Sequence, residues 1–159
     1  MTTVVVDNTV LSNFTHVEQP KLLRAAFDNP VTVRAVMDEL IEGIRLDRLP
    51  PVDWGDIPVI ELTADEQESA DVIGQRLGRG EAACIALARS RQWIVLTDDR
   101  DARAAAREAG VLVSGTLGVL VNLVEGGIVS LSEADHLLAQ MKQHGYRCPV
   151  DSLSELNED

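Results

Sequence analysis

Two short runs constrain this chain more than anything else in it: VVV at Val4–Val6 and WIVLT at Trp93–Thr97. Neither shows the polar alternation of a strand with one face in water, so both read as strands buried on two faces. Val31–Val33 and Val111–Val113 are further strand candidates, and Val59–Leu62 reads as a minor strand or extended segment. Helical patterns fill the intervals: Leu22–Phe27, a helix from Val33 through about Ile44, Ala64–Leu77 with Ala70, Ile73 and Leu77 on one side, Glu81–Arg91, Ala102–Ala109 stopped by Gly110, Leu117–Val124 and Glu133–Gln143. Strands alternating with helices predict an α/β protein, a three-layer α/β/α sandwich with a parallel sheet.

At 159 residues the chain is long enough for one well-buried core. The proline-rich segment LPPVDWGDIP from Leu49 reads as a connector within a single domain over residues 1–150, followed by an acidic, frayed tail over 151–159. No apolar run approaches the roughly 18 residues that cross a bilayer, and the N-terminus lacks the basic and apolar regions of a signal peptide. The expectation is a soluble cytoplasmic protein with no membrane association. Cys84 lies in an apolar helical pattern and reads as a small core residue. His16, His136 and His144 are scattered and read as surface or packing residues; Trp54 and Trp93 read as structural.

In open parallel sheets ligands sit beyond the carboxyl ends of the strands. Both defining runs end there on acids: Asp7 after Val6, Asp98 and Asp99 after Thr97. Glu39 lies on the helix after the second strand, and Glu81 in the first turn of a helix introduced by Gly78 and Gly80. Were Asp7, Glu39, Glu81 and Asp99 to converge, their repulsion would force protonation or require a cation. No lysine or histidine adjoins any of them, though Arg100 follows Asp99. Oxygen ligands alone suit hard divalent ions, Mg²⁺ or Mn²⁺, which activate water and stabilise a transferring phosphoryl group. The plainer reading treats Asp7 and Asp99 as helix N-caps and Glu39 and Glu81 as exposed helix charges.

The net charge of −12 speaks against nucleic-acid binding, which needs basic side chains, and suits a metal or a basic protein partner. Only two lysines occur, Lys21 and Lys142. Arginines 76, 79, 89, 91, 100, 103 and 107 cluster around Glu81 and Asp99, either as a local basic rim or as ordinary exposed helix charges.

The ordered set VVVDNTVLSNF, VMDELIEG, GRGEAACIALA and IVLTDDRDAR, followed by VSGTLGVLV, resembles the PIN domain family, close to the VapC-like toxins, over roughly Val4 to Val150. The resemblance implies an Mg²⁺- or Mn²⁺-dependent endoribonuclease with an acidic quartet serving as catalytic and metal-binding residues: Asp7, Glu39, Glu81 and Asp99. Around it, Asn8, Thr97, Asp98 and Asp101 become candidate supporting groups, with Asp98 and Asp101 also candidates to stand in for Asp99. It further implies an RNA substrate, a toxin–antitoxin pairing with a small antitoxin protein, and a homodimer. The helices at Leu117–Val124 and Leu137–Met141 offer apolar faces for a dimer or equally for the core. The rival reading is a catalytically silent PIN-fold module that binds nucleic acid or protein. The VVVDNT start is also similar to that of phosphatases with an Asp-x-Asp pair, but Thr9 occupies the second acid's place. A receiver domain needs a late-strand lysine, whereas Lys142 falls in a helix.

Overall fold

The computed structural model describes residues 2–157. Five parallel strands form one sheet in the order β3-β2-β1-β4-β5. They are β1 (Thr3–Val6), β2 (Asn29–Val33), β3 (Val59–Ile60), β4 (Ile94–Leu96) and β5 (Val113–Ser114). Eight α-helices connect and cover them, completing the three-layer arrangement. They are α1 (Asn8–His16), α2 (Pro20–Ala26), α3 (Arg34–Arg45), α4 (Ala64–Ile73), α5 (Arg79–Arg91), α6 (Arg100–Glu108), α7 (Thr116–Glu125) and α8 (Leu131–Gln143). The central strand explains the VVV run. Val4, Val5 and Val6 are fully buried, with Val5 paired to Val31 on one side and to Val95 on the other.

The chain moves outward through β2 and β3 on one side of β1, then returns to build β4 and β5 on the other. The reversal opens a crevice at the carboxyl ends of β1 and β4, where open α/β sheets place their ligands. Helix α5 lies under this crevice. Its residues Ala82 to Ala88 are all buried, because a run of alanines with Cys84, Ile85 and Leu87 lets neighbouring elements approach closely on every side.

Several boundaries differ from the sequence expectation. The acid at Asp7 hides a helix: α1 starts at Asn8 directly after β1, a segment the apolar periodicity left unassigned. The fourth helix ends at Ile73 rather than Leu77, because Gly74 follows. β5 starts only at Val113, although the Leu112 carbonyl already accepts from Val95 N. The tail is ordered through Asn157: Leu153 is buried, its N–H donates to Asp135 Oδ1 at 2.6 Å, and residues Leu153–Asn157 form a 3₁₀ turn. Glu158 and Asp159 lie outside the described residues. The histidines are not all scattered, since His16 at the end of α1 stacks on His144 at the end of α8 with ring centroids 4.6 Å apart. The apolar faces of α7 and α8 are used internally: Leu120, Leu123, Leu138 and Met141 are fully buried in the core. Trp54 anchors the proline-rich connector, its indole donating to Thr15 Oγ1 at 2.9 Å.

One ion pair joins the outer helices. Glu66, in the first turn of α4, is 4 % exposed and receives Arg91 Nε and Nη2 from the end of α5, each at 3.0 Å. It also completes a capping box with Thr63. The Arg91 hydrogen bonds hold the Glu66 carboxyl down at about 2, below its ordinary 4.5. A depressed acid contributes stability above its unfolded pKa and loses it on acidification. Arg91→Ala is therefore expected to cost about 2 kcal/mol at pH 7, less than a fully enclosed pair because Arg91 is partly exposed. That difference should shrink as pH falls from 4.5 toward 2, as urea denaturation at a series of pH values will read.

Candidate active site

Asp7 is the innermost acid of the crevice. It follows the last residue of β1, its N–H donates to the Leu96 carbonyl of β4 at 2.9 Å, and the residue is 2 % exposed. Two hydroxyls hold one carboxylate oxygen: Thr97 Oγ1 donates to Asp7 Oδ2 at 2.8 Å and Thr9 Oγ1 at 3.1 Å. Both threonines are themselves fixed, since Asp99 N donates to Thr97 Oγ1 and Asp98 N to Thr9 Oγ1. Burial pushes the Asp7 carboxyl upward against these hydrogen bonds. Thr97 thus holds the Asp7 carboxylate directly. Thr9, where a phosphatase would carry its second acid, acts as a second hydroxyl clamp.

The other three acids approach from separate elements. Glu39 projects from the exposed side of α3, and Glu81 stands at the third position of α5. Gly80 lets these helices meet: a β-carbon there would lie 3.0 Å from Val36 Cγ2 and 3.6 Å from Glu39 Oε2. Burial, then the charge of Asp7, raises the Glu39 carboxyl, while the Asn8 side chain opposes this as a hydrogen-bond donor. Asn8 Oδ1 itself accepts from Ser12 Oγ at 3.3 Å. Glu81 feels all three partners. Burial first, then the charges of Asp7, Asp99 and Glu39, push it up to about 7 against the hydrogen bond it accepts from Gly78 N. Asp99 caps α6, with Oδ1 accepting from Ala102 N at 2.8 Å.

The charges of Asp7, Asp99 and Glu39 all act on Glu81, but the four carboxylates do not form a closed cage. Among the described residues, no three acidic, thiol or imidazole side chains stand close enough together to hold a metal ion. Glu81 is engaged at Gly78 and Asp99 at Ala102, while Glu39 is exposed. The chemistry of the donor set nonetheless fits a hard divalent ion. Every candidate ligand atom is a carboxylate oxygen, and none of the four forms an ion pair with a basic side chain among the described residues.

Two of the candidate supporting acids are placed elsewhere. Asp98 turns away from Asp7 and binds Thr116 N at 2.8 Å, Thr116 Oγ1 at 2.5 Å and Asn13 Nδ2 at 3.0 Å. It therefore does not stand in for Asp99; its partners tie α1 to the start of α7. Asp101 is exposed and lines a groove with Val72, Arg76 and Arg89, between α4 and α6. The arginines, open between a basic rim and ordinary helix charges, are likewise divided. Arg76 and Arg89 face that groove and Arg91 pairs with Glu66, while Arg103 Nη1 donates to the Thr97 carbonyl behind the crevice at 2.9 Å. Asn13, Thr116 and Arg103 are the structural partners that sequence reasoning did not find. Their contacts to the Thr97–Asp99 segment span elements far apart in the chain and leave no periodic trace.

The raised Glu81 carboxyl has a measurable consequence. Its folded value of about 7 exceeds the unfolded 4.5, so repulsion costs nothing below pH 4.5 and grows as pH rises through 7. In EDTA, Glu81→Gln should stabilise the protein by about 1 kcal/mol at pH 8 and leave it unchanged at pH 4.5, the half-exposed position screening part of the effect. Thermal melts of both proteins at the two pH values check this.

The PIN domain family model matches residues 3–158. The chain belongs to the PIN domain family, whose members are generally nucleases and typically use divalent metals. No curated protein matches it significantly. Among the described residues, no helix is long and apolar enough to cross a membrane.

Proposed function

We propose that this protein is a divalent-metal-dependent endoribonuclease in which Asp7, Glu39, Glu81 and Asp99 hold Mg²⁺ or Mn²⁺ and direct water at an RNA phosphodiester. The observation that carries this reading is electrostatic. Burial and the charges of Asp7, Asp99 and Glu39 drive Glu81 to about 7, and among the described residues no basic side chain pairs with any of the four. Such a site binds a proton or a cation. A divalent ion bound there would lower the pKa of a coordinated water and neutralise charge on the phosphoryl oxygens. The chain's own groups do the positioning. Thr9 and Thr97 fix the Asp7 carboxylate, and Gly80 brings the α5 turn beside α3. Binding requires Glu81 to release its proton and leave the Gly78 cap, so metal uptake should liberate protons near neutral pH.

The reading extends to a toxin role. The net charge of −12 suits a small basic antitoxin that covers the acidic crevice, and a homodimer is the expected assembly. The direct test incubates purified protein with a mixed RNA pool and Mn²⁺ or EDTA. Metal-dependent internal cleavage supports the enzyme, whereas no cleavage with any divalent ion leaves the silent binding module. Expression alone should slow growth, and co-expression of a neighbouring small gene should relieve it.

A further inference from the structure

A second concavity opens at the same edge of the sheet, one strand along from the carboxylates. Its volume is about 270 Å³ and it lies at the ends of β4 and β5. Arg103, Arg147, Tyr146 and Ser114 line it, with Asp98 and Gly115 at its inner wall. Its composition stands out against the rest of this acidic protein. Two guanidiniums and a single carboxylate face one small space, and that carboxylate is already occupied by Thr116 and Asn13. Neither arginine forms an ion pair among the described residues. Arg103 uses Nη1 on the Thr97 carbonyl, which fixes the plane of its fork relative to the crevice. Arg147 is exposed and reaches the same space from the segment after α8. The half-buried Tyr146 stays a neutral phenol, because burial and the nearby Asp98 charge raise its pKa, so its ring adds an uncharged flat surface.

We propose that this cavity seats one nucleotide of the RNA strand beside the scissile bond, its phosphate on Arg103 and Arg147 and its base against the Tyr146 ring. The proposal rests on the ribonuclease reading above. Guanidinium forks match phosphate oxygens in geometry as well as charge, and an aromatic face accepts any base without reading its sequence. A chain of net charge −12 repels a polyanion overall, so a strand can be held only where positive charge is locally in excess. Thr97 links the two places. Its hydroxyl donates to Asp7 and its carbonyl accepts from Arg103, so a phosphate anchored on Arg103 is registered to the carboxylates through one residue. The volume is near the lower end of small-ligand pockets, about 300 Å³, and suits a single unit of a single strand rather than a duplex.

The test uses the full chain. Arg147→Glu and Tyr146→Leu lie outside the acid cluster and avoid Arg103, whose loss would also release Thr97. With a long single-stranded RNA and Mn²⁺, each variant should raise KM roughly tenfold while kcat stays within about twofold; the salt dependence of RNA binding by Arg147→Ala should fall by about one unit. Arg147→Lys should recover part of the loss. Mn²⁺ binding heat should not change in either variant. If wild-type protein cuts RNA and the two variants cut the long strand with unaltered KM, the subsite is overturned and the ribonuclease reading stands. If wild-type protein neither binds nor cuts RNA, both fail together.

Discussion

Asp7→Asn should abolish metal-dependent cleavage, by roughly 10³-fold or more, while leaving the fold intact. The substitution is nearly isosteric. The Asn carbonyl oxygen can accept the Thr9 and Thr97 hydroxyls that Asp7 Oδ2 now receives, at 3.1 and 2.8 Å. What changes is charge at the innermost point of the crevice. An amide cannot bind a hard cation as a carboxylate does, and its NH₂ presents hydrogens toward the other acids. The stability effect has the opposite sign. Burial raises the Asp7 carboxyl, so its ionised form is disfavoured in the folded state at neutral pH. Removing that charge also relieves Glu39 and Glu81, both of which Asp7 pushes upward. In EDTA at pH 8 the variant should melt at or above the wild-type temperature, and its Mn²⁺ binding heat should vanish. Loss of activity with loss of fold would point to a structural acid. Cleavage within tenfold of wild type would remove Asp7 from the chemistry.

How far this site could be read from the chain depends on the range of the contacts that make it. Strand ends are local features, so Val4–Val6 ending on Asp7 and Trp93–Thr97 ending on the paired acids located the crevice before any fold existed. The PIN resemblance adds the VMDELIEG, GRGEAACIALA and VSGTLGVLV segments to these two. The parallel order also followed from continuous burial, because a strand such as β1, covered on both faces and both edges, has no position to spare for polar alternation. Less visible was the status of Glu39 and Glu81. On a helix each looks like any other surface acid beside Asp38 or Arg79. Only the contact of α3 with α5 at Gly80 brings them together, and that is tertiary geometry. The helix α1 was hidden because it begins one residue after the strand, and Asp7, whose carboxylate goes to Thr9 and Thr97 rather than to a cap bond, gives no local start signal. The ordered tail rests on contacts back to α8: buried Leu153, its hydrogen bond to Asp135 eighteen positions earlier, and Lys142 bound to Asp151.

Asp98→Ala should be the most destabilising change among the acids near the crevice, by about 3 kcal/mol, and should affect activity only through the fold. The three residues after β4 point in three directions. Thr97 is turned to Asp7, Asp99 caps α6 toward the crevice, and Asp98 is directed beneath the start of α7. There it takes the first free N–H of α7, the Thr116 hydroxyl and the Asn13 amide, the last two from residues that are themselves buried. Gly115 makes this possible, for a β-carbon at that position would collide with Asp98 Oδ1. Truncating Asp98 leaves these donors without their acceptor away from water, and each orphaned group costs about 1 kcal/mol or more. Part is recovered because Asn13 still donates to Thr116 Oγ1 at 3.0 Å. Burial raises the Asp98 carboxyl, so some of the acid's own desolvation penalty is refunded on its removal, which holds the net loss near 3 kcal/mol. Asp101→Ala, at an exposed position in the first turn of α6, should stay within about 0.5 kcal/mol. Urea denaturation of the two variants separates them, and Mn²⁺ titration at a temperature where Asp98→Ala remains folded should give the wild-type heat. A loss of metal binding in folded Asp98→Ala, with Asp99 intact, would reverse the assignment of scaffold and ligand between these adjacent acids.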